Sequence, residues 1–155
     1  VKDEKVNEIR KSLAKLFRRF GLRDVDACVL AHLIIIDSKI SVRALANDIH
    51  QSISGVTSAL HRLMRMHLVI RDKQGKMYIY RTESNLLSAL LNLIEDIRAH
   101  ELSDLMTILS QNQRDSVTIA ESLQKKVESA DCKLKALVQI LKLQGGEQYE
   151  DSTNC

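Results

Sequence analysis

The groups able to do chemistry in this chain are concentrated between Arg43 and Lys76, and they are of two kinds. Ser52, Ser54, Thr57 and Ser58 are short hydroxyls, with Gln51 before them and His61 after. Arg43, Arg62, Arg65, Lys73 and Lys76 are cations, with Gln74 between the two lysines. Hydroxyls, amides and imidazoles can read hydrogen-bonding edges, while guanidinium and ammonium groups neutralise anions. Nothing among them resembles a nucleophile with its base or a glycine loop that cradles phosphate. Asp24 and Asp26 read as a helix start rather than a catalytic pair. His32, His50, His61, His67 and His100 show no compact metal-ligand spacing, and Cys28, Cys132 and Cys155 form no CxxC pair. The sequence therefore points away from an enzyme, and no metal or cofactor is expected.

The elements that must hold these groups follow from apolar spacing and caps. Ser41 can cap a short helix from Val42 to about Ile49, and Ser52 a second running to about Met66. In that second helix Val56, Leu60 and Leu63, with Ala59 beside them, form one stripe, and the hydroxyls, His61 and Arg65 face elsewhere. Leu68–Arg71 and Met77–Arg81 then read as strands, with Asp72-Lys73-Gln74-Gly75-Lys76 as the tip and Gly75 supplying positive φ. Ile40 is placed to form a short strand that joins the hairpin. Two helices precede this block. The first carries Val6, Ile9, Leu13, Leu16 or Phe17, and Phe20 on one face and stops at Gly21. The second, capped by Asp24, runs to about Ile36 and is apolar on most of its surface.

Charge divides the chain in two. Residues 1–82 carry 16 Lys and Arg against 8 Asp and Glu, and residues 83–155 carry 7 against 12. A basic front half is the footprint of a phosphate-binding surface. Zero Pro and five Gly in 155 residues fit a mostly helical protein with short connections. Three cysteines with no secretory segment in view suggest a reducing cytoplasm, with Cys28 in the core. The longest apolar run, around Val29–Ile36, is too short to span a membrane.

The constellation Leu45-Ala46-x-x-Ile49, Ser52-x-x-x-Val56-x-x-x-Leu60-x-x-Leu63, His67-Leu68-Val69-Ile70-Arg71 has the order and spacing of a winged helix-turn-helix. It resembles the winged-helix transcription regulators of the MarR and TrmB type, including their Lrs-like archaeal relatives, over roughly residues 22–90. The short wing M-Y-I-Y-R-T is similar to that of the TrmB-like sort. The chain departs from the family's pattern at His50 and His67, where Gly is common, and at Gln51, where an apolar residue is common. The resemblance implies a recognition helix at about 52–66 in the major groove and a wing at about 68–82 on the backbone. Ser52, Ser54, Thr57, Ser58 and His61 would line the groove-facing side. Arg62 and Arg65 would approach phosphates, with Arg62 also the most plausible guanine reader. Arg43, Lys73 and Lys76 would contact the backbone, with Gln51 and Gln74 beside them.

From Glu83 onward everything reads as helix. Leu87, Leu90, Ile94 and Ile97 are spaced 3-4-3, then Leu102, Leu105 and Leu109 shift the phase. Gln111-Asn112-Gln113 marks either a break or a polar turn of one long helix. Ala120, Leu123, Val127, Ala130, Leu134, Leu137 and Leu141 then form an uninterrupted a/d seam, with Cys132 off it. The seam serves either as a dimerisation device or as a clasp within one chain, and dimerisation is the favoured reading, with the first helix joining the interface. The fold class expected is mainly α with a small β-hairpin: an N-terminal helix at 1–21, a winged helix-turn-helix domain at 22–82, long dimerising helices at 83–143 and a disordered tail at 144–155 after Gly145-Gly146.

The function expected is that of a homodimeric, cytoplasmic, sequence-specific regulator on double-stranded DNA. An architectural protein with little sequence preference and a protein-interaction winged helix are the alternatives. A small-molecule effector between the dimerising helices and the wing domain is left open, with no residues to identify it.

Overall fold

The computed structural model describes the backbone of residues 2–82, 85–111 and 117–152, and the side chains of residues 4–82, 85–111 and 121–143. Two compact units divide it, Val1–Ala89 and Leu90–Cys155.

In the first unit, α1 (Lys2–Arg19) ends at Gly21, which takes φ +89°. Its Ala14 and Phe17 are buried against α2 (Asp24–Ile36). The face turned inward is Asn7, Arg10, Ala14 and Phe17, so Val6, Ile9 and Leu16 of the expected apolar stripe stay exposed. α2 is central, packed against both α1 and α4, with Ala27, Val29, Leu30, Ala31 and Leu33 out of contact with water. Its N-cap is Arg23, not Asp24; Asp24 lies in the first turn and accepts a 3.0 Å bond from Arg18. Carboxylates there favour the positive end of the helix dipole without acting as caps. Cys28 is half-buried rather than in the core, and Cys132 is exposed. Cys155 lies outside the described residues.

α3 (Val42–Asp48) and α4 (Ile53–Arg65) begin at the expected caps. Ser41 Oγ accepts from the Ala44 N–H at 3.3 Å, and Ser52 Oγ from the Gly55 N–H at 3.0 Å. Val56, Ala59, Leu60 and Leu63 of α4 are all fully buried, as the spacing requires. His50 and His67 take the left-handed positions, φ 54° and 57°, where glycine would be unstrained.

The sheet has three strands in the order β1-β3-β2, where β1 is Ile40–Ser41, β2 Val69–Gln74 and β3 Met77–Thr82. β1 joins the hairpin through Ile40 opposite Tyr80. Pairing extends to Gln74 opposite Met77, so the strands use most of the expected tip and leave a two-residue turn, Gly75-Lys76. Positive φ at Gly75 gives the mirror-image turn that matches strand twist.

In the second unit, α5 (Leu86–Ile97, which begins in the first unit) runs into a wide helical turn at Arg98–Leu102, α6 (Ser103–Gln111) and, after residues 112–116, α7 (Val117–Ser152). Part of the polar Gln111–Gln113 segment therefore lies outside the described residues. The wide turn bonds i to i+5, a local insertion that re-phases the helix. That accounts for the phase shift between Ile97 and Leu102. α6 packs against α7, and Arg98 bridges Glu95 at 2.6 Å and Asp131 at 3.0 Å, tying the wide turn to α7. The Arg98 guanidinium holds the Glu95 carboxyl below its usual pKa. The helix runs through Gly145-Gly146 to Ser152, beyond the expected stop. Glycine weakens a helix without removing its hydrogen bonds, unlike proline.

Candidate nucleic-acid interface

The tight turn between α3 and α4 is closed by the Gln51 N–H donating to the Ala46 carbonyl at 3.0 Å. Ala46, Ile49 and Val56 are buried where the two helices cross. That crossing points α4 away from the core along one side. Ser54, Ser58, His61 and Arg65 are exposed there, with Gln51, Ser52 and Arg43 exposed around its N-terminal end. Lys73, Gln74 and Lys76 are exposed along the hairpin. Thr57 is half-buried, and its hydroxyl donates to the Ile53 carbonyl at 2.8 Å.

Arg62 is the residue whose surroundings change its reading. Its Nε and Nη2 donate to the two carboxylate oxygens of Asp26, at 2.8 and 2.6 Å. Asp26, in the first turn of α2, is 4% exposed, and the pairing raises the Arg62 pKa. The guanidinium thus spends its fork on an internal carboxylate and joins α4 to α2. Neither partner was visible as a pair in the sequence, because 36 residues separate them.

Arg71 and Tyr78 were not singled out from sequence, and both are exposed on the wing. The Arg71 guanidinium lies 4.5 Å from the centroid of the Tyr78 ring. Strand alternation could have found them, since Arg71 shares a face with Lys73. With Ser58, His61, Arg62, Met64 and Arg65, Arg71 lines a hollow of about 650 Å3 between α4 and the hairpin. A second hollow of about 390 Å3 is lined by Ser41, Val42, Arg43, Thr57, Met77, Tyr78 and Tyr80. The hairpin is braced from beneath by Asp72, which accepts from Lys39 and Arg81 at 3.2 Å each. Those two bonds hold the Asp72 carboxyl below its usual pKa.

A further polar junction links α1, α2 and α3. His32, 6% exposed, places Nε2 3.2 Å from Asp48 Oδ2, and Arg10 donates to the Asp48 carbonyl at 2.9 Å. Burial lowers the His32 pKa, against the opposing pull of Asp48.

Of the residues expected at a dimer seam, Leu87, Ile97, Leu123 and Leu137 are exposed, Leu90, Ile94, Leu134 and Leu141 are half-buried, and Val127 is buried. The inward face of α7 is Gln124, Val127, Asp131, Leu134, Val138 and Leu141. Among the described residues, no group of three or more His, Cys, Asp or Glu is placed to hold a metal, and no helix is long and apolar enough to cross a membrane.

A helix-turn-helix followed by an antiparallel hairpin, with a short strand completing the sheet, is a winged helix-turn-helix, here continued by C-terminal helices. A solved structure described as a transcriptional regulator shares this architecture at TM-score 0.67, with 16% identity over 94% of this chain and 99% of its own. A possible transcriptional regulator from Methanosarcina mazei Go1 is 20% identical over 76% of this chain and 91% of its own, at TM-score 0.48. A MarR family transcriptional regulator from Silicibacter pomeroyi DSS-3 is 22% identical over 82% and 90%, at TM-score 0.41. The first likeness is one of fold; the other two superpose too loosely to add to it. No protein-family model and no curated protein matches the chain.

Proposed function

We propose that this protein is a DNA-binding transcriptional regulator that acts as a homodimer. The observation that carries this reading is the exposed basic surface formed by α4 and the hairpin. Ser54, Ser58, His61 and Arg65 stand on the helix, and Arg71, Lys73 and Lys76 on the wing, all in water. α4 would enter the major groove by its N-terminal end, with the wing on the phosphate backbone. Arg43 and Arg65 serve as phosphate contacts. Arg62 is withdrawn from that role because Asp26 already neutralises it. The similarity in fold to a protein described as a transcriptional regulator agrees with this reading.

The dimer rests on apolar side chains left in water. Leu123, Leu137, Ile140 and Leu143 are 42, 50, 53 and 71% exposed on α7, and Ile9 is 57% exposed on α1. A second copy is the occupant proposed for them, since two reading helices about one duplex turn apart multiply a weak half-site interaction. Sedimentation of the wild type and of Leu137→Lys tests this. A dimer that the substitution splits supports it, and a wild-type monomer at micromolar concentration overturns it.

Fluorescence anisotropy on a duplex selected from a randomised pool, against unselected duplex across a salt series, tests the regulator itself. A preference of roughly 10³-fold with a steep salt slope supports site-specific regulation. The engagement of Arg62 by Asp26 favours a second reading, an architectural protein with little sequence preference, because it removes the strongest candidate guanine reader. Equal, salt-sensitive binding to both duplexes would establish that reading instead.

A further inference from the structure

Ile53, the first residue of α4, is 48% exposed among the polar and basic groups of that helix, on a surface where the hairpin also exposes Met77 and Tyr78. By helical spacing it heads two rows, one running through the buried Val56, Leu60 and Leu63 and the other through Thr57 and His61, and in the first turn of the helix it stays half in water. The Thr57 hydroxyl donates to the Ile53 carbonyl at 2.8 Å, so its proton is already committed within the helix. Gln51, exposed two residues earlier, lines with Ile53, Arg43, Asn47 and His50 a shallow hollow of about 310 Å3 beside the start of the helix. The N-terminal end of a recognition helix is the part that meets base edges in the major groove. There, an apolar side chain is complementary to the 5-methyl of thymine, and a glutamine amide to adenine N6 and N7.

We propose that Ile53 and Gln51 are the specificity-determining residues, and that the preferred duplex carries A·T pairs read by these two side chains. The proposal rests on the DNA-binding reading above. It accounts for two facts at once: an exposed isoleucine at the start of the reading helix, and the engagement of Arg62 by Asp26. Isoleucine in this position excludes water from a thymine methyl and gains nothing from a cytosine edge, which presents an amine.

The test uses the duplex selected from a randomised pool, prepared once with thymine and once with deoxyuridine, which differs by the 5-methyl. Wild type and Ile53→Ala are titrated on both at one salt concentration, and Gln51→Ala on the thymine duplex. Wild type is expected to bind the deoxyuridine duplex about fourfold more weakly for each methyl contacted, the factor set by one buried carbon. Ile53→Ala is expected to bind both alike. Because Ile53 is exposed and alanine favours helix, the variant keeps its fold, which circular dichroism checks. Equal wild-type binding to both duplexes, or discrimination that persists in Ile53→Ala, overturns the assignment of Ile53. An unchanged affinity in Gln51→Ala overturns that of Gln51. Tight binding with either of those results leaves the DNA-binding reading standing, whereas no binding to any duplex at low salt removes both.

Discussion

Replacing Arg62 by leucine would leave the Asp26 carboxylate buried in α2 without its counter-charge. Two charge-assisted bonds of 2.8 and 2.6 Å are lost, and the side chain of Asp26 has 5% of its surface in water with which to replace them. Breaking a buried pair by removing one partner costs about 3–5 kcal/mol. Arg62 keeps 26% of its side chain exposed, and the leucine restores some apolar contact, so the lower end, about 3 kcal/mol, is expected. For a unit of this size that corresponds to roughly 15 °C in Tm. Urea denaturation followed by circular dichroism measures it. The double variant Asp26→Leu/Arg62→Leu has no charge left to bury and should recover most of the loss. A single variant within about 0.5 kcal/mol of wild type would refute the view that this pair joins α4 to α2.

Lys76→Ala should reduce the slope of log affinity against log salt by about one, the signature of a lost phosphate contact. The folded Asp26→Leu/Arg62→Leu variant should leave that slope unchanged, and a reduction there would return Arg62 to the DNA. His32 is held neutral by burial, so its folded pKa lies below the unfolded 6.5. Stability is then full above pH 6.5 and falls as the unfolded chain takes up the proton first. His32→Gln should flatten the urea midpoint between pH 5 and 7, and an unaltered profile would show that another group governs it. His50→Gly relieves a left-handed backbone at φ 54° and should stabilise by about 0.5–1 kcal/mol. A drop in the urea midpoint would mean that the imidazole contributes more than its strain costs.

What was legible in the sequence is what local physics decides. Ser41 and Ser52 are caps because a hydroxyl three residues ahead of an orphan N–H has one productive partner. The stripe of Val56, Leu60 and Leu63 is buried because a helix with an apolar row has one way to remove it from water. The left-handed residues His50 and His67 follow from topology: the chain must turn there, and the sequence offers no glycine. The hairpin's length was underestimated because Asp72, Lys73 and Gln74 are poor strand formers in isolation. Pairing to the partner strand, with Asp72 held by Lys39 and Arg81, overrides that preference.

What was not legible is which polar group goes inside, because its partner lies far along the chain. Asp26 does lie in the first turn of α2, where a helix start places it, but the spacing gave no sign that Arg62 would meet it there out of water. On α7 the seam expected from apolar spacing ran through Leu123, Ala130 and Leu137. The face that packs within the chain instead passes through Gln124, Asp131 and Val138, sharing Val127, Leu134 and Leu141 with that seam. Asp131 occupies an inward position because Arg98, 33 residues away, meets it there. One ion pair thus accompanies a rotation of the helix by part of a turn. The rotation divides a broad apolar sector in two. One side is covered by the chain itself, and the other, marked by Leu123 and Leu137, remains in water. A heptad pattern reports that a face is apolar and cannot report who covers it, so the clasp and the dimer are not rivals: the same helix has surface for both.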